Sequence, residues 1–451
     1  MVIQFATPRT RRHLLPILFL VLAITMLVAT RGEAALRPVE QITTPSGVKL
    51  WLVQEPSIPL VAIRFAMAGG ALQDPDGKEG LASLLAGLLS EGGGDLDSSA
   101  FARRIADEGA QLSFSVSRDQ IYGGMDVLSS RLSEAMDLLR LAVGHPRFDA
   151  DAIERVKGQQ LAEVDLALKE PRSVAFNRWY AGVFSGHPYG RPTKGHLETL
   201  KALTRDDLVR QHERLFGRDG LRLVIVGDVD RETAIKVVER SFGGIPAKSD
   251  RHAIAAPVPV QLPQPIVLSM NQPLATMAFG TLALSPSDKD FPALRVLRQI
   301  VGSGDFDSTL MDEIRVKRGL AYSVSLSLIN DTVASVLLGG MATKPENVAE
   351  AQHVLVDVLG KIASEGPAVG PFENAKRYLT GTSLLDLDTN AKLAGSLLRV
   401  WLEGRAPDYL KEQNGRIAAV TLDDVKRVAR TVLDPASLRI AIVAPAPPQR
   451  R

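Results

Sequence analysis

The side chains best suited to metal chemistry are few and scattered in this sequence. Its seven histidines are His13, His145, His187, His196, His212, His252 and His353, and none has another three or four residues away. No helical face therefore carries the histidine pair that grips a zinc ion. His212-Glu213 comes nearest, but Phe216 stands where the second histidine would be needed. The chain has no cysteine, which removes disulfides, thiolate metal sites and a cysteine nucleophile. No G-x-S-x-G elbow marks a nucleophilic serine.

The elements that would position any site must come from a long chain. At 451 residues, with 45% hydrophobic and 23% charged residues, two or three domains are expected. The formal charge of +2 and the lack of a basic, aromatic-studded stripe speak against nucleic acid as a partner.

An internal duplication organises these residues. Leu203-Thr204-Arg205-Asp206-Asp207-Leu208 returns as Val420-Thr421-Leu422-Asp423-Asp424-Val425, and Leu221–Val226 returns as Leu438–Val443, both at an offset of 217. Pro59-Leu60 matches Pro273-Leu274 at 214, and Gly109 with Ser113 matches Gly319 with Ser323 at 210. Between the repeats, residues 245–265 hold five prolines, a linker composition. The expected domains are 36–244 and 266–446. Strand patterns come in pairs and not in strict alternation with helices, so each half reads as α+β, helices on a mostly antiparallel sheet. Gly80 to Glu91 reads as a helix stopped by Gly92, and Asp151–Lys169 as a long helix. Thr204 and Thr421, each three residues before an aspartate, read as capping-box starts.

Three phrases together resemble the pitrilysin/insulinase group of zinc peptidases, which includes the mitochondrial processing peptidase subunits. Gly69-Gly70-Ala71-Leu72-Gln73-Asp74-Pro75-Asp76-Gly77-Lys78-Glu79-Gly80-Leu81-Ala82 is similar to the family's lead-in to its catalytic helix. His187-Pro188-Tyr189-Gly190-Arg191-Pro192 resembles a family loop, and Arg315–Val324 resembles its C-terminal signature. The resemblance spans roughly residues 40 to 445. The family's H-x-x-E-H motif binds zinc through both histidines, and its glutamate is the general base. Here the matching stretch is Ser83-Leu84-Leu85-Ala86-Gly87, so both ligands and the base are missing at Ser83, Gly87 and Ala86. Glu163 falls in the region of the family's third ligand, but one carboxylate does not hold zinc; it reads rather as a solvated glutamate on a helix face. No metal or cofactor is expected in this chain.

The resemblance further implies that Arg318 and Tyr322 face substrate. A guanidinium fork can hold a carbonyl or carboxylate, and a tyrosine hydroxyl can donate to a peptide carbonyl. A plainer reading stays open: Tyr322, Val324, Leu326 and Leu328 alternate, which would make Tyr322 a core residue and leave Arg318 solvated. Family members resemble a closed chamber of four such domains. A two-domain chain is then half a chamber, and the implied role is a non-catalytic, substrate-binding subunit of a heteromeric zinc endopeptidase, its zinc carried by a homologous partner. The alternative is a structural or peptide-binding scaffold.

The N-terminus has the layout of an export signal over residues 1–35. Arg9, Arg11 and Arg12 precede an uncharged run from Leu14 to Thr30, and Gly32-Glu33-Ala34-Ala35 offers a small-residue cleavage site. An exported, periplasmic location is expected in a Gram-negative source, with a membrane contact only if the leader is retained as an anchor.

Overall fold

Two sheets of like topology organise the chain, as seen in a computed structural model that describes residues 37–260, 265–304, 307–383 and 387–445. The expected leader, part of the expected linker and the last residue of the second expected domain lie outside the described residues. The first half contributes strands β1 (Glu40–Thr43), β2 (Lys49–Gln54), β3 (Leu60–Ala68), β4 (Gln111–Val116), β5 (Gln120–Leu128) and β6 (Leu221–Gly227). Its helices are α1 (Leu81–Leu88), α2 (Ser98–Asp107), α3 (Leu132–Gly144), α4 (Ala150–Lys169), α5 (Pro171–Val183), α6 (Leu197–Lys201), α7 (Arg205–Leu215) and α8 (Arg231–Phe242). The second half follows with strands β7 (Ile266–Ser269), β8 (Ala275–Ala283), β9 (Ala321–Asn330), β10 (Ser335–Thr343) and β11 (Arg439–Ala444). Its helices are α9 (Phe291–Gly302), α10 (Val348–Glu365), α11 (Val369–Thr382), α12 (Asn390–Leu402), α13 (Tyr409–Ala418) and α14 (Leu422–Val432).

The strand orders are β1-β2-β6-β3-β5-β4 and β7-β11-β8-β10-β9. Apart from the extra edge strand β1, they correspond one to one. Each sheet has a single parallel pair, β2 with β6 and β7 with β11, and antiparallel neighbours elsewhere. The match reaches side chains. Phe65 lies opposite Gly123 on β5, and Phe279 opposite Gly339 on β10. A Cβ on Gly123 would fall 2.0 Å from the Phe65 ring, and one on Gly339 2.6 Å from the Phe279 ring. In both halves a ring lies over a cross-strand glycine, which leaves it the space.

The helix starts follow the predicted caps. Thr204 Oγ1 accepts from the Asp207 N–H while Asp207 accepts from the Thr204 N–H (2.9 Å), and Thr421 and Asp424 repeat the exchange. These reciprocal bonds satisfy donors that a helix N-terminus leaves open. The helix read from Gly80 to Glu91 is shorter than its apolar pattern suggests, ending at Leu88 before the glycine run.

Each sheet also carries a helix from the other half. Helix α5 lays Ala175, Trp179 and Val183 on Ala278, Val336, Leu338, Ala441 and Val443 of the second sheet. Trp179 is fully buried, and its Nε1 donates to the Arg439 carbonyl at 3.0 Å. Helix α12 returns the favour, placing Ala394, Leu397 and Leu398 on Trp51, Val53, Ala62, Val224 and Val226 of the first sheet. Trp51 and Trp401 stack there at 4.4 Å. Apolar faces that would otherwise meet water are thus covered in both directions, which ties the halves together.

Candidate functional site

The first candidate site is the junction of α1 and α4, where the resemblance would put zinc. Ser83 and Gly87 lie on the partly open side of α1, and Ala86 is buried. Val156 of α4 fills the space beside Gly87: a Cβ there would sit 2.9 Å from Val156 Cγ1. Further along α4, Gln160 is buried and donates to the Gly80 and Lys194 carbonyls at 3.1 and 2.9 Å. Glu163 is exposed on α4, where it forms an ion pair with the equally exposed Lys194. Zinc does not fit this set. The α1 positions offer one hydroxyl, a histidine at 87 would strike Val156, and the remaining carboxylate already has a cation. Among the described residues no group of three or more His, Asp or Glu side chains could hold a metal elsewhere.

The lead-in phrase has a structural use that survives the lost chemistry. Asp74 is buried at the start of α1, and its two oxygens accept from the Gly80 and Ala82 N–H groups, both at 2.9 Å. Burial pushes this carboxyl up to about 7, against the opposing pull of those amides and of Arg214. Gly80 has φ +95°, and a Cβ on it would lie 2.6 Å from the Lys194 carbonyl oxygen. The family loop continues the same support: Arg191 reaches the Asp74 carbonyl at 3.2 Å and Asp76 at 2.5 Å.

That loop also joins the two halves. Tyr189 is buried; its hydroxyl donates to the Asp119 carboxylate (3.1 Å) and accepts from the Val333 N–H (3.0 Å). Asp119 also accepts from the Thr332 N–H at 2.6 Å. Asp119 lies in the β4–β5 turn and Thr332 in the β9–β10 turn, so the equivalent hairpins of the repeat meet at this hydroxyl. Asp331 beside them is pushed up to about 6, first by burial and then by the charge of Asp119.

The second candidate site contains Arg318. A π-helical turn, Met311–Val316, ends just before it, and Gly319 follows at φ +63°. Arg318 Nη1 donates to the Glu313 carbonyl (2.7 Å) and to its carboxylate (2.5 Å). Hydrogen bonds from Lys317 and Arg318 hold the Glu313 carboxyl below the usual range. Arg318 lines a cleft of about 1360 Å³ between α9, α10 and α11, with Glu313, Asp357, Lys361, Asn374 and Tyr378 among its walls. Tyr322 is not a wall of that cleft. It starts β9, 80% exposed, with the Arg315 guanidinium 4.5 Å above its ring.

The alternation that suggested a core tyrosine fails for a local reason. On β10, Thr343 pairs with Ala321 and Met341 with Val324, so Tyr322 and Ser323 together oppose Ala342. This bulge breaks the period of two. Val324 and Leu326 are buried while Tyr322 turns to solvent. Arg318 is likewise not simply solvated, since Glu313 takes one edge of its fork. Sequence reasoning missed Glu313 and Asp74. Asp74 had a readable signal, an Asp-Pro six residues before a glycine that opens a helix; Glu313 had none, because the π turn that aims it is not legible in the pattern.

A fold of two α+β repeats with this junction defines the class, and comparisons with known proteins name it. Residues 49–196 match the insulinase (peptidase family M16) description, and residues 202–379 match the peptidase M16 inactive domain. An uncharacterized zinc protease of Mycobacterium tuberculosis is 25% identical over 405 residues, covering 89% of this chain and 92% of that protein. A non-peptidase homolog of Helicobacter pylori, YmxG, is 23% identical over 388 residues, covering 86% and 89%. The crystal structure of a peptidase M16 inactive domain from Pseudomonas fluorescens superposes with a TM-score of 0.85 at 24% identity, covering 92% of this chain and 99% of that one. The chain belongs to the pitrilysin/insulinase family and lacks that family's zinc-binding side chains at the matching positions of α1.

Proposed function

We propose that this protein is the non-catalytic, substrate-binding subunit of a heteromeric zinc endopeptidase that acts on peptides outside the cytoplasm. The observation that carries the reading is the packing at Gly87. A Cβ at Gly87 would lie 2.9 Å from Val156 Cγ1, which supports a junction packed without a metal ligand there. The partner in this reading is a homologous subunit that carries the zinc. This chain supplies half of the enclosure and offers Tyr322, exposed at the start of β9, and Arg318, on the wall of the large cleft. The leader-like residues 1–35 support export, to the periplasm in a Gram-negative source.

The test is co-purification from the native host, followed by assays of this chain alone and with the protein it brings down. Turnover only in the presence of a zinc-bearing homologue supports the reading. Peptidase activity and stoichiometric zinc in the isolated chain would end it. A second reading, a peptide-binding scaffold with no proteolytic partner, is favoured by the pairing of Arg318 with Glu313, which already satisfies part of the fork. Arg318→Ala and Tyr322→Phe separate the two. Lowered turnover with assembly intact supports the subunit, and unchanged kinetics support the scaffold.

A further inference from the structure

In the first half, a cavity of about 520 Å³ opens where the ends of α3 and α8 meet α7. It shares no wall with the cleft that holds Arg318. Val143, Pro146, Phe148, Val209, Phe216 and Ile245 give it an apolar lining. His212 lies flat on Phe216, ring centroids 4.3 Å apart, and meets Phe148 edge-on at 6.1 Å. Its Nε2 is 2.9 Å from the Val143 carbonyl, an acceptor, so that nitrogen carries the proton. Burial lowers the pKa of this imidazole and keeps it neutral. Phe148 is the one non-glycine residue with a positive φ, +53°, among the described residues. A bulky side chain is rarely held there, and such backbone gathers at ligand sites. Arg205 fixes the turn by donating to the Phe148 and Arg147 carbonyls at 3.1 and 3.2 Å.

Charge around this cavity is uneven. Arg240 is engaged by Asp137 at 2.8 Å and by the Ser133 carbonyl and hydroxyl at 2.6 and 2.7 Å. Glu213, the one carboxylate in the wall, matches Arg205 in number, and His145 completes the rim. Arg140 is left over. It is half-buried on α3, and no hydrogen-bond, ion-pair or ring partner for it exists among the described residues. A guanidinium drawn partly out of water without an acceptor is costly, and an anion in the cavity removes that cost.

We propose that this cavity binds a small apolar monocarboxylate, its carbon skeleton among Phe148, Val209 and Phe216 and its carboxylate on Arg140. A planar guanidinium fork matches a carboxylate in two-point geometry. One unpaired cation calls for one negative charge, and Glu213 in the wall disfavours a second. The aromatic lining suits a carbon skeleton better than a bare inorganic ion, and the volume is that of small-ligand sites. The second repeat has not kept this arrangement. At the offset of 217, Arg205, His212 and Phe216 correspond to Leu422, Ala429 and Leu433, which pack in the second core.

Calorimetry on the purified full chain tests this with 3-phenylpropionate and its uncharged amide as probes. Saturable binding of the acid is expected, with the amide about tenfold weaker. Arg140→Gln should bring the acid down to the level of the amide, and should melt no lower than the parent, because Arg140 has no partner to lose. Glu213→Gln should tighten the acid about threefold and leave the amide unchanged. Arg103→Gln, a control on the exposed face of α2, should change neither. Three results overturn the assignment: no saturable binding of the acid, an amide that binds the parent chain as tightly as the acid, or an acid–amide difference that survives in Arg140→Gln.

Discussion

The equivalent helix pairs of the two repeats, α1 with α4 and α9 with α11, pack against each other in both halves, and the second pair also lines a large cleft. In the first half, α1 and α4 close on each other, with Val156 against Gly87 and Gln160 tying the two ends. In the second half, the corresponding α9 and α11 border an open cleft of about 1360 Å³. The offset of 210 carries Ser83, Ala86 and Gly87 onto Ala293, Val296 and Leu297, all three buried in the second core. The second repeat thus spends these positions on packing, whereas in the first Ala86 is buried and Ser83 and Gly87 stay partly exposed. Buried Ala86 and the close approach of Val156 to Gly87 mean that restoring a metal motif on α1 should meet steric resistance.

The largest effect is expected from that restoration. Ser83→His/Ala86→Glu/Gly87→His restores the motif but puts a carboxylate at a position only 2% exposed and a ring into Val156. Overpacking with a buried charge should cost about 3–5 kcal/mol, read from the denaturant midpoint. The triple variant should also fail to retain zinc one-to-one by metal analysis. Adding Val156→Ala and Lys194→Ala removes the clash and frees Glu163, and should recover part of the stability and admit the metal. Stoichiometric zinc in the triple variant, without that relief, would show that the junction is merely vacant of ligands.

A smaller effect separates the two helix starts by pH. Asp74, buried at α1, is raised from 3.8 to about 7, whereas Asp290, before α9, is lowered by its hydrogen bonds from Arg427 at 2.8 and 3.1 Å. A raised carboxyl binds its proton more tightly in the folded state. Its contribution is full below the ordinary carboxylate range and is lost as pH rises through about 7. A lowered carboxyl does the reverse, contributing above that range and losing it in acid. Asp74→Asn should flatten the part of the melting curve's pH dependence between about 4 and 7. Asp290→Asn should change only the acid limb. A melting midpoint in Asp74→Asn with the wild-type slope across neutral pH would remove Asp74 as its source.

The repeat, the α+β class and the loss of the metal motif were legible because they rest on periodicity, spacing and residue type. Cap signals at Thr204 and Thr421 were legible for the same reason: each is settled within four residues. What stayed hidden is set by contacts distant in sequence. Nothing in α5 announces that Trp179 will bond the Arg439 carbonyl, 260 residues away. Nor does Tyr189 announce that it will bridge Asp119 and Val333. The bulge at Tyr322-Ser323, opposite Ala342, moved Tyr322 from a core pattern to solvent, and it shows only in the way β9 pairs with β10.

The smallest expected effect is the one that keeps the functional tests clean. Tyr322 is 80% exposed, so Tyr322→Phe should change stability by less than about 0.5 kcal/mol. Arg318→Ala gives up an exposed pair with Glu313, which by the usual behaviour of surface ion pairs amounts to about 1 kcal/mol or less. Both variants should therefore fold, elute and melt much like the parent, in contrast to the repaired α1 junction. A fall in turnover of the assembled complex at these positions then reports contact with substrate and not damage to the fold. A large drop in the melting midpoint for Tyr322→Phe would instead mean that the start of β9 is covered in solution, and would withdraw Tyr322 from the substrate-facing surface.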